Sequence, residues 1–113
     1  MPNSGDVVDL DLGAPAGREA GFRHPGVLVT AQRVLNAGPS VVHVVPVTTT
    51  IRRFQSEIVI EPDEANGLIA RSAAQCQHLR AVSTSRIVAT RGNVGPAVLA
   101  QLRETIAVVL DLP

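Results

Sequence analysis

Short runs of aliphatic, largely β-branched residues limit most strongly what this chain can fold into. Residues 27–30 (VLVT) and 41–47 (VVHVVPV) are almost continuously apolar, and only Phe22 and Phe54 supply aromatic rings. β-branched side chains fit the pleated surface of a strand better than they fit a helix. The turn-rich segment 36–40 separates the two runs, so we expect them to form two paired, deeply buried strands.

Further strands are predicted on both sides of these runs. Residues 5–12 alternate apolar and polar side chains with the period of two of a half-buried strand. Additional short strands are predicted within residues 56–60, 73–81 and 87–90, with a turn at 83–85. Because proline cannot donate to a ladder, we expect Pro46 at the end of its strand or on a sheet edge.

The end of the chain has a helical pattern. From Val98 onward, apolar residues recur at spacings of three and four, the stripe of an amphipathic helix over residues 96–110. Pro96 suits the first turn, where its missing N–H costs no hydrogen bond, and Asn93 is placed to cap it. With six or seven short strands before it, this helix predicts one mainly β domain over residues 1–113, a small barrel packed against a C-terminal helix.

Charge and cysteine content exclude several classes of protein. Ten acidic and ten basic residues give a formal net charge of zero, so any polyanion would have to bind a local patch. Cys76 is the one cysteine and no export signal precedes the domain, which together predict a reducing, cytoplasmic setting. The sequence holds no apolar run of the roughly 20 residues that a membrane span needs.

Common catalytic signatures are also missing. The sequence has no glycine-rich phosphate loop followed by Lys and Ser/Thr, no paired-cysteine zinc motif and no helix with two His ligands. We therefore expect no metal and no other cofactor. His43 and His78 fall within strand-like segments, and we interpret both as structural histidines.

Three polar clusters remain. They are Arg18, Glu19, Arg23 and His24 in a long loop over residues 13–24, then Thr48, Thr49 and Thr50, then Gln75, Gln77, His78 and Arg80. A long loop in a small domain is often functional. Each cluster also has a structural interpretation, as a solvated loop, a turn capped by hydroxyls or the solvated face of a sheet. Strand alternation would put Gln75 and Gln77 on one face and His78 and Arg80 on the other.

The order of these segments resembles that of the MazF/PemK (Kid) toxins over nearly the whole chain. The resemblance is carried by GDVVDLDLG, GREAGFRHP, VVPVTTT, SAAQCQHLRAVSTSRI and AVVLDL. Family members share a G-x-E loop that ends in a proline, a P-[IVL]-T-[ST] strand end and a later S…Q-x-R…R block. No one of these segments is specific to the family. All five in the right order, in a chain of the family's length, form a specific pattern.

The resemblance implies a Src-homology-3-like (CcdB/PemK) barrel with a C-terminal helix, a homodimer and an RNA groove along the dimer interface. It implies the toxin of a type II toxin–antitoxin system, an mRNA interferase that cuts single-stranded RNA without a metal. In that reaction the 2′-hydroxyl attacks the adjacent phosphate and leaves a 2′,3′-cyclic phosphate and a 5′-hydroxyl. A cognate MazE-like antitoxin is implied as partner, in a hetero-oligomer with the toxin.

The family's catalytic pattern carries over in part. An arginine just before the loop proline is the family's main catalytic residue, and a threonine at the third strand's end assists it. Thr48 matches the threonine, but His24 precedes Pro25 and Arg23 lies one position earlier. Either Arg23 takes the role or His24 replaces the arginine, and we expect the two to act as a unit. Imidazole can transfer protons near neutral pH, but it lacks the fixed charge and fork of a guanidinium.

The other family-like positions are expected to bind RNA; they are Glu19, Phe22, Thr49, Arg52, Arg53, Gln77 and Arg80. Phe22 could stack on a base or pin the loop to the core. Arg52 and Arg53 could contact phosphate or form a solvated turn. Nothing in the residues defines the RNA sequence that is cut or the antitoxin.

Two alternatives to an active nuclease stay open. One is a CcdB-like binding module that poisons gyrase by protein contact, and the other is a catalytically weakened RNA-binding homologue. The threonine turn and the G-x-E loop favour the nuclease.

Overall fold

The computed structural model describes residues 2–13 and 23–113, so the predicted loop residues Arg18, Glu19 and Phe22 lie outside the described part. Within it, the elements are β1 (Asp6–Asp11), β2 (Arg23–Leu28), α1 (Gln32–Leu35), β3 (Val41–Thr48), β4 (Glu57–Ile60), β5 (Ser72–Gln75), β6 (Arg80–Ser83), β7 (Ile87–Asn93) and α2 (Gly95–Val109). Two 3₁₀ turns, Cys76–His78 and Thr84–Arg86, flank β6. The predicted fold class, mainly β with a C-terminal helix, is confirmed.

The strands pair antiparallel in the order β4-β5-β3-β2-β1-β7, and β6 also pairs with β3. Along one side, β3 pairs with β2. Along its other side it pairs with β6 as far as Val44 and with β5 from Val47. Many residues distant in sequence therefore meet around β3.

Pro46 lies in the gap between β6 and β5, where neither strand pairs with β3. A residue without an N–H is tolerated there because no ladder hydrogen bond is required of it on that side. This agrees with the predicted position near a strand end or on an edge, since β3 ends two residues later, at Thr48.

The central strands β1, β2 and β3 carry buried residues on both faces of the sheet. Alternate residues of β1 divide between two clusters: Val7 packs in the cluster that contains Leu102 and Ile106 of α2, whereas Val8 packs in the cluster that contains Leu35 of α1. Burial on both faces explains the nearly continuous apolar runs of β2 and β3. Strand β1 was predicted to be half-buried, and that expectation is wrong because Val7 and Val8 are buried on opposite faces.

Helix α2 begins as its sequence pattern indicates. The N-cap position is Val94, one residue after the predicted Asn93, but the Asn93 side-chain oxygen does accept the Gly95 N–H at 2.7 Å, and Pro96 occupies the first turn. In the part of the chain that the structure describes, no helix is long and apolar enough to cross a membrane.

One predicted boundary is wrong. Arg23 and His24 belong to β2 and not to a loop, because they continue the antiparallel pairing with Asp11 and Leu10 of β1. Over residues 73–81 and 87–90 two or three short strands are predicted, and the structure has three, because the Cys76–His78 turn separates β5 from β6. This turn, which was not predicted, shapes the candidate site.

Candidate functional site

A groove of about 500 Å³ lies where β1, β2 and β3 meet the chain between β5 and β6. It is lined by Leu10, Leu12, His24, Pro25, Pro46, Gln75, His78 and Arg80. We call it the His24 groove. Strand register builds it, because Leu10 pairs with His24, Gly26 with Pro46, and Val44 with both Leu28 and Arg80.

The Cys76–His78 turn brings a polar set into this groove. A 3₁₀ turn has three residues per turn, so side chains three apart lie on one side, as Gln75 and His78 do here. Gln75 therefore lines the groove with His78 and Arg80, and the expectation that it would lie on the opposite face is wrong. Gln77, predicted to bind RNA, is half-buried within the turn.

His24 is half-buried and lies in a cationic environment. Burial, and after it the positive charge of Arg80, lowers the pKa of His24 from the usual 6.5. Both effects act against the protonated form, because burial removes hydration from a charge and a guanidinium repels an imidazolium. Near neutral pH the imidazole is therefore neutral and able to accept a proton.

Thr48 ends β3 beside the His24 groove. Its hydroxyl oxygen accepts the Thr50 N–H at 3.1 Å, which matches the capping interpretation. Gly26 of β2 pairs with Pro46 of β3. Because the two strands are antiparallel, two residues back along β2 is His24 and two residues forward along β3 is Thr48. A smaller pocket of about 200 Å³ is lined by Thr48 and Thr49, and Pro25 lines both this pocket and the His24 groove. The structure thus places Thr48 next to the groove.

Arg23 is not grouped with His24. It is exposed and pairs in register with Asp11. The groove contains His24 and Arg80, and Arg23 is not among the described residues that line it.

Arg52 and Arg53 lie in another region. Their backbone N–H groups both donate to Oε1 of the buried Glu57 at 3.0 Å, and both residues are exposed. The residues after them line a pocket with the C-terminal turns of α2. Glu57 thus holds Arg52 and Arg53 in a turn, which agrees with the alternative that these arginines form a solvated turn. This turn lies apart from the His24 groove.

The structure adds His78 to the site, although its sequence context predicts only a structural role. The available signal was the apolar spacing of Cys76, Leu79 and Val82, which has a period of three and not the period of two of a strand. Within residues 2–13 and 23–113, no three His, Cys, Asp or Glu side chains are placed to hold a metal ion.

Comparisons with known proteins give a consistent result. The model of the PemK-like, MazF-like toxins of type II toxin–antitoxin systems matches residues 3–110. Among curated proteins, Endoribonuclease MazF9 of Mycobacterium tuberculosis is 33% identical over 116 residues, which cover 99% of this chain and 98% of that protein.

Solved structures share the fold over the same extent. A mycobacterial endoribonuclease in complex with its cognate antitoxin superposes with a TM-score of 0.78 at 22% identity, covering 100% of this chain and 98% of the other. MazE-MazF from Deinococcus radiodurans gives a TM-score of 0.80 at 23% identity, with 99% and 97% covered.

Proposed function

This chain belongs to the PemK/MazF family of toxins of type II toxin–antitoxin systems, and from that premise we propose that it is an endoribonuclease whose reaction takes place in the His24 groove. The curated relative named an endoribonuclease aligns with it along almost the full length of both chains. The gyrase-directed CcdB-like module is not favoured by these matches. The proposed substrate is single-stranded RNA, including mRNA.

The proposed reaction is a metal-independent transphosphorylation. The 2′-oxygen attacks the adjacent phosphorus while the bond from phosphorus to the 5′-oxygen breaks, which yields a 2′,3′-cyclic phosphate and a 5′-hydroxyl. Three tasks fall to the protein. It must take the proton of the 2′-hydroxyl, supply a proton to the leaving oxygen and stabilise negative charge on the phosphoryl oxygens.

The observation that carries the proposal is the presence of His24 and Arg80 in one groove. His24, whose pKa is lowered by burial and by Arg80, takes the 2′-hydroxyl proton. Arg80 supplies the fixed positive charge and fork that the family's arginine would bring and that a histidine at position 24 lacks.

Thr48 assists from the adjoining pocket. A hydroxyl can donate one hydrogen bond while it accepts others, so Thr48 can hold the Thr50 N–H and still donate to a phosphoryl oxygen. Arg23 and Thr49, both exposed, are assigned to contacts with the RNA backbone beyond the scissile phosphate. Arg52, Arg53 and Gln77 have less direct access to the groove. We assign them to contacts with the outer parts of the bound RNA.

The proposed partners follow from family membership. A MazE-like antitoxin would cover the His24 groove and keep the nuclease silent, in a hetero-oligomer with a toxin homodimer. The proposed substrate implies action in the cytoplasm, where mRNA is present.

The proposal is tested by incubating the purified protein with a long single-stranded RNA in EDTA. We expect discrete fragments that carry 2′,3′-cyclic phosphate and 5′-hydroxyl ends. RNA that stays intact, or cleavage that requires an added divalent metal, would overturn it.

A further inference from the structure

We infer that His78 is the second proton-transfer residue of the site: it protonates the leaving 5′-oxygen while His24 takes the 2′-hydroxyl proton. This inference rests on the proposed RNA cleavage and assigns the one task that His24, Arg80 and Thr48 leave open. It gives a catalytic role to a residue whose sequence context predicts a structural one.

The two imidazoles reach the groove from different sides. His24 lies on β2, and His78 lies in the 3₁₀ turn between β5 and β6. In the sheet order, β3 separates β2 from β5 and also from β6, and Pro46 of β3 lines the groove between them. In an in-line displacement at phosphorus, the attacking and leaving oxygens lie on opposite sides of the phosphorus atom. Groups on two sides of a groove are therefore suited to the two proton transfers.

The surroundings of the two side chains divide the tasks. His24 is half-buried beside Arg80, which favours the neutral imidazole that a general base requires. His78 is exposed, so it can take up a proton from water between turnovers. Among the described residues that line the groove, the charged or titratable side chains are His24, His78 and Arg80. No carboxylate among them offers a competing acid.

The proposed step balances without a further reactant. The 2′-hydroxyl proton passes to neutral His24 as the bond from the 2′-oxygen to phosphorus forms. The bond from phosphorus to the 5′-oxygen breaks, and that oxygen takes the proton of the His78 imidazolium. Arg80 stays protonated and pairs with the phosphoryl oxygens. Exchange with water then returns both imidazoles to their starting states.

A sulfur substitution at the leaving position tests this role. Once a cleaved linkage has been mapped, the same RNA is made with sulfur in place of the bridging 5′-oxygen at that linkage. A thiolate leaves without being protonated, so loss of a general acid matters little for this substrate. We expect His78→Gln to cut the oxygen substrate about 100-fold more slowly than wild type, the usual scale for a general acid. On the sulfur substrate it should stay within about threefold of wild type.

Two matched variants complete the experiment. His24→Gln should be slow on both substrates, because it lacks the base. His43→Gln replaces an exposed histidine outside the groove and should match wild type on both. If His78→Gln melts at a lower temperature than wild type, the measurement is repeated with His78→Asn.

The outcomes separate this inference from the proposed function. If wild type cuts RNA and the His78 variants cut both substrates at the wild-type rate, or are slowed equally on both, the inference is wrong and the nuclease stands. If wild type leaves both RNAs intact, both are overturned.

Discussion

Arg80 lines the same groove as His24, and its guanidinium adds to burial in lowering the pKa of that imidazole. The two residues lie on β6 and β2, which pair with opposite sides of β3. The result is a neutral base next to a fixed cation, although the sequence places no arginine directly before the loop proline.

Replacing Arg80 should raise the pKa of His24. In Arg80→Gln the repulsion of the imidazolium is gone, so protonation becomes easier and the pKa moves up toward 6.5 while burial still opposes it. An NMR titration of the imidazole in the free protein measures this directly. The acid fall in the cleavage rate should move to higher pH with it. Arg33→Gln, which alters an exposed arginine of α1, serves as control, and equal His24 titration in all three proteins would contradict the assignment.

Loss of either proposed catalytic side chain should slow cleavage. His24→Ala and Thr48→Ala are each expected to reduce the rate by about tenfold or more, the scale for a lost base or a lost transition-state donor. Initial rates on one RNA, at equal concentrations of folded protein, provide the comparison. Full activity of His24→Ala would move the catalytic role to Arg23.

We predict that the protein is a dimer. Large apolar side chains are exposed on the described surface, with Ile69 91% and Val108 80% exposed, and the sheet order ends in the edge strands β4 and β7. Exposed apolar surface and open edges both favour association. Sedimentation velocity at micromolar concentration measures the mass, and a monomer there would count against the proposal.

Gly67 should be the more sensitive of two glycines that share a φ of +68°. At Gly67 an added Cβ would collide with the backbone of Arg91, whereas at Gly38 it would meet nothing within 4 Å. Each alanine variant incurs the left-handed backbone strain of about 1–2 kcal/mol. Gly67→Ala should lose about 1–3 kcal/mol more, because neighbouring backbone must move. Urea unfolding measures both, and equal losses would show that the close contact does not matter.

The Cys76 thiol should be inert in the folded protein. It is fully buried, and burial raises its pKa to about 11, so the reactive thiolate is scarce below that pH. Iodoacetamide at pH 8 should leave the native protein unlabelled and label it after unfolding in urea. Rapid labelling of the native chain would show that the region around β5 opens readily.

Much of the fold could be predicted because its signals are local. The continuously apolar run that became β3 identifies a strand buried on both faces, and the stripe that begins at Val98 identifies α2. Asn93 accepts the first N–H of that helix from just before its N-cap. The short helix α1 and the Cys76–His78 turn were not predicted, since each is shorter than the window in which periodicity can be recognised.

By itself, the sequence determined the strand-forming segments, the final helix and the motif order that indicates the family. Only the tertiary structure decided which polar side chains share a groove. His24 and Arg80 meet because both of their strands pair with β3, and His78 joins them because a 3₁₀ turn interrupts strand alternation. Local propensity acts over a few neighbouring residues, whereas a groove depends on register between strands that are far apart along the chain.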